Sequence, residues 1–314
     1  MAFDTLLGNH RLKDNLTQSL LRGRVSHFYL ISGPEGSGKH TLARALTAAI
    51  LCRAEDKPCG NCGPCRKVLE GNHPDVITVS DPEHKTVAVK IVREAREDVF
   101  IRPNEADYKI YLFPQELGIE GQNALLKILE EPPKYGVFIL MTDNPDKLLP
   151  TVRSRCTELA LQALDEDTIC KALAREFPDR SADDLRAAAS RSGGWLGQAK
   201  ALVSEGAVLP QTEHFVQAFS RRDALLLTQT LAPMEKWRRD QLVPVLESWI
   251  ALTENALVSR AGLPAVSALE RTLSTARSSQ ELMAALKSLK KARELALGNV
   301  SPGAVCGWLQ WELR

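Results

Sequence analysis

The sequence predicts an α/β domain built around a phosphate-type loop, followed by an all-helical second half. Three observations carry that prediction. The apolar run from His27 to Ser32 leads into a glycine-rich turn, Gly33 to Lys39, and then into the alanine- and leucine-rich stretch Thr41 to Leu51, which is the order strand, loop, helix. Two further short apolar segments, Lys109 to Phe113 and Val137 to Met141, flank a helix-like stretch from Asn123 to Glu131, and strands alternating with helices make an α/β sheet. After Cys156, β-branched runs become scarce and alanine and leucine dominate, as at Leu282, Leu286, Leu289 and Leu295.

Ahead of the first strand, Leu12, Leu16 and Leu20 recur at helical spacing between Asn9 and Leu21, and Gly23 closes that helix. Gly193, Gly194, Gly206 and Pro210 punctuate the second half, giving an expected division into residues 1–162, a small helical domain over 163–208 and a helical bundle over 209–314. A chain of 314 residues is long enough for two or three such domains. Hydrophobic residues at 44%, charged residues at 25% and a formal net charge of +1 give no global electrostatic reason to bind DNA or an anionic membrane, so any nucleic-acid contact must be local. The first residues mix charged with apolar side chains and no run approaches the length of a membrane span, so the expectation is a cytoplasmic chain with no membrane partner.

The turn GPEGSGKH, residues 33–40, supplies the glycine and lysine positions of the phosphate-loop pattern G-x-x-x-x-G-K-S/T through Gly33, Gly38 and Lys39, with Gly36 as a further candidate phosphate-binding glycine between them. Backbone N–H groups in such a loop wrap phosphates, and the lysine neutralises them. The next position requires a hydroxyl for magnesium, yet it is His40, a poor ligand for a hard cation. Thr41 comes one residue late, which on a helix is a rotation of about 100°. The strand ending at Phe113 should carry an aspartate and glutamate to hold magnesium and activate water. The chain instead continues Pro114, Gln115, Glu116, and Glu116 is either a displaced remnant or a solvated charge. The loop is therefore either a turn kept for structure or a weak, non-catalytic nucleotide cradle for ATP or ADP, and hydrolysis there is not expected.

Cys52, Cys59, Cys62 and Cys65 form C-x6-C-x2-C-x2-C, with Pro58, Gly60, Gly63 and Pro64 supplying tight turns. Four thiolates at this density suit one tetrahedral zinc ion, and a closed four-sulfur shell makes such a site structural. The competing reading is a reduced, metal-free cluster or a redox pair. Cys156, Cys170 and Cys306 are isolated and expected to pack.

The loop following the His27–Ser32 run, the four-cysteine insertion, QNALLKILEEPP (residues 122–133) and LLPTVRSRC (residues 148–156) occur in that order, and the combination resembles the bacterial DNA polymerase III clamp-loader family of AAA+ proteins. The resemblance is strong over about the first half and loose over the helical half. It implies an AAA+ domain with a zinc insertion, a helical lid and an all-α collar, assembled with gamma- or tau-type motor subunits and a delta subunit in a hetero-pentamer that loads a sliding clamp onto primed DNA. The family's motor subunits keep G-K-S/T and an acidic strand end; losing both resembles its delta-prime type. The family's S-R-C arginine reaches the nucleotide of a neighbouring subunit, and the position carrying it is Arg155, which implies an arginine finger acting in trans. Read without the family, an arginine there is a surface charge or a local salt bridge. Thr142 resembles the polar residue that senses the γ-phosphate, or else caps a strand end. An active gamma-like ATPase in which His40 and Glu116 serve unusually, and a P-loop nucleotide kinase, are the alternatives; the kinase leaves the S-R-C segment unexplained.

Overall fold

A computed structural model describes residue 3 and residues 5–84, 86–204, 210–298 and 300–313; the boundary expected at 208/209 lies outside these residues. The chain divides into two compact units, residues 1–168 with 195–198, and residues 169–194 with 199–314.

The first unit is a sheet with helices on both faces. Its strands are β1 (Phe28–Ser32), β2 (Val76–Thr78), β3 (Thr86–Val87), β4 (Lys109–Phe113), β5 (Glu116–Leu117), β6 (Gly136–Thr142) and β7 (Thr157–Ala160). Five of them form one parallel sheet in the order β2-β4-β6-β1-β7, and β3 pairs with β5 separately. The helices are α1 (His10–Leu21), α2 (Lys39–Leu51), α3 (Gly63–Glu70), α4 (Val89–Asp98), α5 (Ile119–Glu130) and the short α6 (Pro150–Arg153). The strand expected over His27–Ser32 and the helix expected over Asn9–Leu21 each begin one residue later than read, and the helix of the QNALLKILEEPP segment begins four residues earlier, at Ile119.

A strand presents successive side chains to opposite faces, and both faces here are apolar. Tyr29, Ile31, Ile110, Val137, Ile139 and Met141 pack with α2 on one side. Phe28, Leu30, Tyr111, Phe113, Phe138 and Leu140 pack with α4 and α5 on the other. Phe138 is the pivot of the second layer, stacked on Phe28 at 4.6 Å and Tyr111 at 5.0 Å between ring centroids. A fully buried strand explains why the sequence shows continuous apolar runs there instead of alternation.

The second unit contains no strand among its described residues. It takes in most of α7 (Glu166–Glu176) and α9 (Leu196–Ser204), together with α8 (Ala182–Arg191), α10 (Pro210–Arg221), α11 (Ala224–Leu231), α12 (Arg239–Arg260), α13 (Ala268–Ala276), α14 (Ser279–Leu297) and α15 (Pro302–Glu312). Its core centres on Trp249, which is fully buried, stacks on Phe215 at 4.3 Å and donates its indole N–H to Thr212 at 3.2 Å. The buried carboxylate of Glu270 accepts from Arg191, from the Ser259 hydroxyl at 2.6 Å and from the Val266 N–H at 3.1 Å, so α8, α12 and α13 meet in one satisfied polar network. Among the described residues no helix is long and apolar enough to cross a membrane.

Asp75, just before β2, ties that edge of the sheet to β4 and to the segment that precedes β4. Its carboxylate is fully buried and accepts the backbone N–H groups of Asn104, Glu105 and Ala106 at 2.5, 2.9 and 2.9 Å, while its carbonyl receives the Ile110 N–H at 2.8 Å. Burial pushes the pKa up, but these N–H donors outweigh it and hold the carboxyl below its ordinary value. A depressed carboxylate contributes its stability above the unfolded-state pKa of roughly 3.9 and loses it as the pH falls through the lower folded-state value. Asp75→Ala strands several buried donors and should cost about 3 kcal/mol in urea unfolding at pH 7. The gap between variant and parent should then narrow as the pH drops below about 4.

Candidate functional site

Parallel pairing sets Ser32, the last residue of β1, beside Thr142, the last residue of β6. The glycine-rich loop therefore leaves the sheet next to the strand-end residues of β6, and the Gly33 N–H donates to the Thr142 carbonyl at 3.2 Å. Lys39 opens α2 with its side chain only 10% exposed; its ammonium donates to the carbonyls of Gly33 at 2.7 Å and Pro34 at 2.9 Å and to the Asp143 carboxylate at 2.5 Å. Gly36 sits at φ +77°, and a Cβ there would lie 2.6 Å from the Gln198 nitrogen. A Cβ on Gly197 would lie 2.5 Å from the Gly36 Cα, so two glycines let backbone meet backbone. The Gly197 N–H donates to the Gly36 carbonyl at 2.9 Å, and the Gln198 amide donates to the Glu35 carbonyl at 3.0 Å. Gly38, at φ +97°, caps α2. Inside the loop the Ser37 hydroxyl is buried without a hydrogen-bond partner.

The residues at and near the motif's magnesium-ligand positions have other surroundings. His40 and Thr41 line a cavity of about 330 Å³ together with Arg44, Thr78, Leu112 and Pro114. Glu116 lies in β5, where Lys147 donates to both of its carboxylate oxygens at 2.8 and 2.9 Å, and that contact raises the Lys147 pKa. Gln115, between that residue and the strand end, bonds through its amide to Asp81 and His84. The Thr142 hydroxyl donates to the Asn144 carbonyl at 2.9 Å and accepts the Asn144 N–H at 3.1 Å, which is a local turn at the end of the strand. In the second unit, Lys200 is paired with Glu176.

Arg155 lies between α6 and β7 with its side chain 40% exposed. It donates to the Thr151 carbonyl at 3.0 Å and to the Glu130 carboxylate at 3.3 Å, so the local-salt-bridge arrangement is the one present in the isolated chain. A pair this exposed costs little to break. The neighbouring Arg153 is shared between Asp146 and Glu158. Within the motif around Gln122, the side-chain amide donates to the Leu117 and Lys147 carbonyls and accepts from the Leu149 N–H at 2.6 Å, so that one buried residue joins QNALLKILEEPP to LLPTVRSRC.

The four cysteines form a module between the end of α2 and the start of α3. Cys52 follows α2, Cys62 caps α3 and Cys65 lies in its first turn. Their sulfur atoms all lie within 4.8 Å of one another, and those of Cys52 and Cys62 are 3.9 Å apart. Four sulfurs at about 2.3 Å from a tetrahedral zinc are separated by about 3.8 Å, so the residues present make a cluster of the kind and approximate size that ion takes. The N–H groups of Asn61 and Cys62 pull the Cys59 thiol down to about 6, whereas burial pushes Cys52 and Cys65 up. A metal takes these groups as thiolates, so its binding would release their protons and would be weaker at low pH. Cys156 and Cys306 are raised to about 11 and about 12 by burial and behave as packing residues. Cys59→Ser and Cys62→Ser should each lose close to one bound zinc per chain by metal analysis, and should lower the Tm by about 5 °C or more.

Sequence reasoning missed Asp143, Glu130 and the Gly197–Gln198 contact with the loop. Asp143 adjoins Thr142 in sequence, but its partner lies 104 residues away, and only the register of β1 on β6 brings the two together.

The family described as DNA polymerase III, delta subunit, matches residues 8–165. The delta-prime subunit of Pseudomonas aeruginosa is 34% identical over 236 residues, covering 73% of this chain and 70% of that protein. The tau subunit of Bacillus subtilis is 34% identical over 171 residues, 53% of this chain and 30% of its own length. The tau/gamma subunit of Haemophilus influenzae is 37% identical over 177 residues, 55% of this chain and 25% of its own length. The chain thus matches a third or less of the tau relatives' length. With a family match over half of the chain and a relative aligned over most of both proteins, this chain belongs to the DNA polymerase III delta-subunit family of clamp-loader subunits.

Proposed function

We propose that this chain is a delta-prime-type subunit of a bacterial clamp loader that does not hydrolyse ATP itself and lends Arg155 to the nucleotide of a neighbouring motor subunit. The observation that carries this reading is the fate of the carboxylate after β4: Glu116 is clamped by Lys147, and the strand end itself offers Pro114 and Gln115. With His40 in the position of the magnesium hydroxyl, the loop lacks both the metal ligand and the group that would activate water. Arg155, by contrast, sits on the surface in a pair weak enough to be exchanged for a phosphate on another subunit. A guanidinium in that role offsets the charge that develops on the transferring phosphoryl group.

In this reading residues 1–162 form the AAA+ domain, 163–208 a lid and 209–314 a collar through which a hetero-pentamer with gamma- or tau-type and delta subunits assembles. The four cysteines hold a structural zinc. The sliding clamp and primed DNA are engaged through the whole complex, in the cytoplasm. The P. aeruginosa delta-prime subunit, aligned over 73% of this chain and 70% of its own length, supports this role over that of a motor subunit; the B. subtilis tau relative aligns over 53% of this chain and 30% of its own length.

Steady-state ATP hydrolysis tests the reading. The purified chain should be silent alone, and adding it to a motor subunit, delta, clamp and primed DNA should raise turnover. Robust turnover by the chain alone would replace this reading with the gamma-like one. An arginine finger is worth roughly 10³- to 10⁵-fold at the site it serves, so Arg155→Ala should silence that one site and lower the stimulated rate by the share the site contributes. Unchanged turnover in that complex would remove Arg155 from the mechanism.

A further inference from the structure

The lysine of the glycine-rich loop already has an anion. An ammonium carries three N–H donors, and those of Lys39 go to the Gly33 carbonyl, the Pro34 carbonyl and the Asp143 carboxylate. The lysine side chain is 10% exposed and the aspartate 57%, so the carboxylate covers the cation from the solvent side, the side from which a phosphate would arrive. Asp143 is fixed there by the sheet, because it follows Thr142, whose carbonyl receives the Gly33 N–H. The loop tip is closed as well, by Gly197 on Gly36 and Gln198 on Glu35.

We infer that Asp143 is an internal counter-ion that competes with the phosphates of a nucleoside di- or triphosphate for Lys39, and that it sets the nucleotide affinity of this loop. A phosphate reaching Lys39 must displace the carboxylate and then stand beside a like charge, which is unfavourable on both counts. Removing the carboxylate leaves a nearly buried cation with two carbonyl acceptors and no charge partner, an arrangement that favours any incoming anion. The partnerless hydroxyl of Ser37, inside the same loop, is a buried donor that a bound phosphate oxygen would satisfy. The inference rests on the reading of this loop as one that does not hydrolyse nucleotide.

Binding of a fluorescent ADP to the full-length chain, with and without magnesium, tests it across wild type, Asp143→Asn, Asp143→Ala and Lys39→Ala. Both Asp143 variants should bind about tenfold more tightly than wild type or better. Adding Lys39→Ala to either should abolish the gain. A thermal-shift titration gives an independent readout: saturating ADP should raise the Tm of the Asp143 variants more than that of wild type, even where the variants start lower. Equal or weaker affinity in both Asp143 variants overturns the inference, as does binding by none of the proteins. ATP turnover measured on the same samples separates the two readings. Turnover by wild type defeats the functional proposal while the affinity comparison still judges Asp143.

Discussion

Parallel pairing of β1 with β6 is the constraint on which the glycine-rich loop depends. A parallel sheet aligns the C-terminal ends of its strands along one edge, and ligand loops of α/β sheets emerge from that edge. Here the register pairs Ser32 with Thr142, so the residues that follow, Gly33 onward and Asp143 onward, start side by side. The Lys39–Asp143 contact follows from that register. The register is itself held by apolar packing: Phe28, Leu30, Phe138 and Leu140 fill one face, and Tyr29, Ile31, Ile139 and Met141 the other. A slip of one residue would exchange the two faces and separate the loop from its counter-ion.

Charge around the loop is settled locally. Lys39 meets Asp143, Lys147 meets Glu116, and Arg155 meets Glu130. The three pairs differ in what they mean because they differ in burial. Lys39 is nearly out of water, where an unmatched charge is expensive, whereas Arg155 is screened by solvent and can change partners cheaply. The first pair is thus costly to separate and the last is cheap.

The cysteine module is coupled to the same framework through α2, whose N-terminal end carries the loop lysine and whose C-terminal end delivers Cys52. The far side of the module begins α3, where Cys65 is buried against the Ala48 carbonyl of α2. A metal held by these sulfurs would clamp the end of α2 to the start of α3.

The sequence by itself determined what local chemistry and periodicity can encode. Glycines and a lysine at fixed offsets marked the loop, four cysteines within a short span marked a metal module, apolar runs marked the buried strands, and QNALLKILEEPP with LLPTVRSRC marked the family. The missing hydroxyl at His40 and the missing carboxylates after Phe113 were legible for the same reason, since each is defined by its place in a contiguous pattern. Tertiary structure alone decided which charges meet. Lys39 with Asp143, Arg155 with Glu130 and Gly36 with Gly197 are contacts between residues 25 to more than 100 positions apart, set by sheet register and helix packing. No pattern along the chain records them, because the free energy that brings these residues together comes from burying side chains elsewhere.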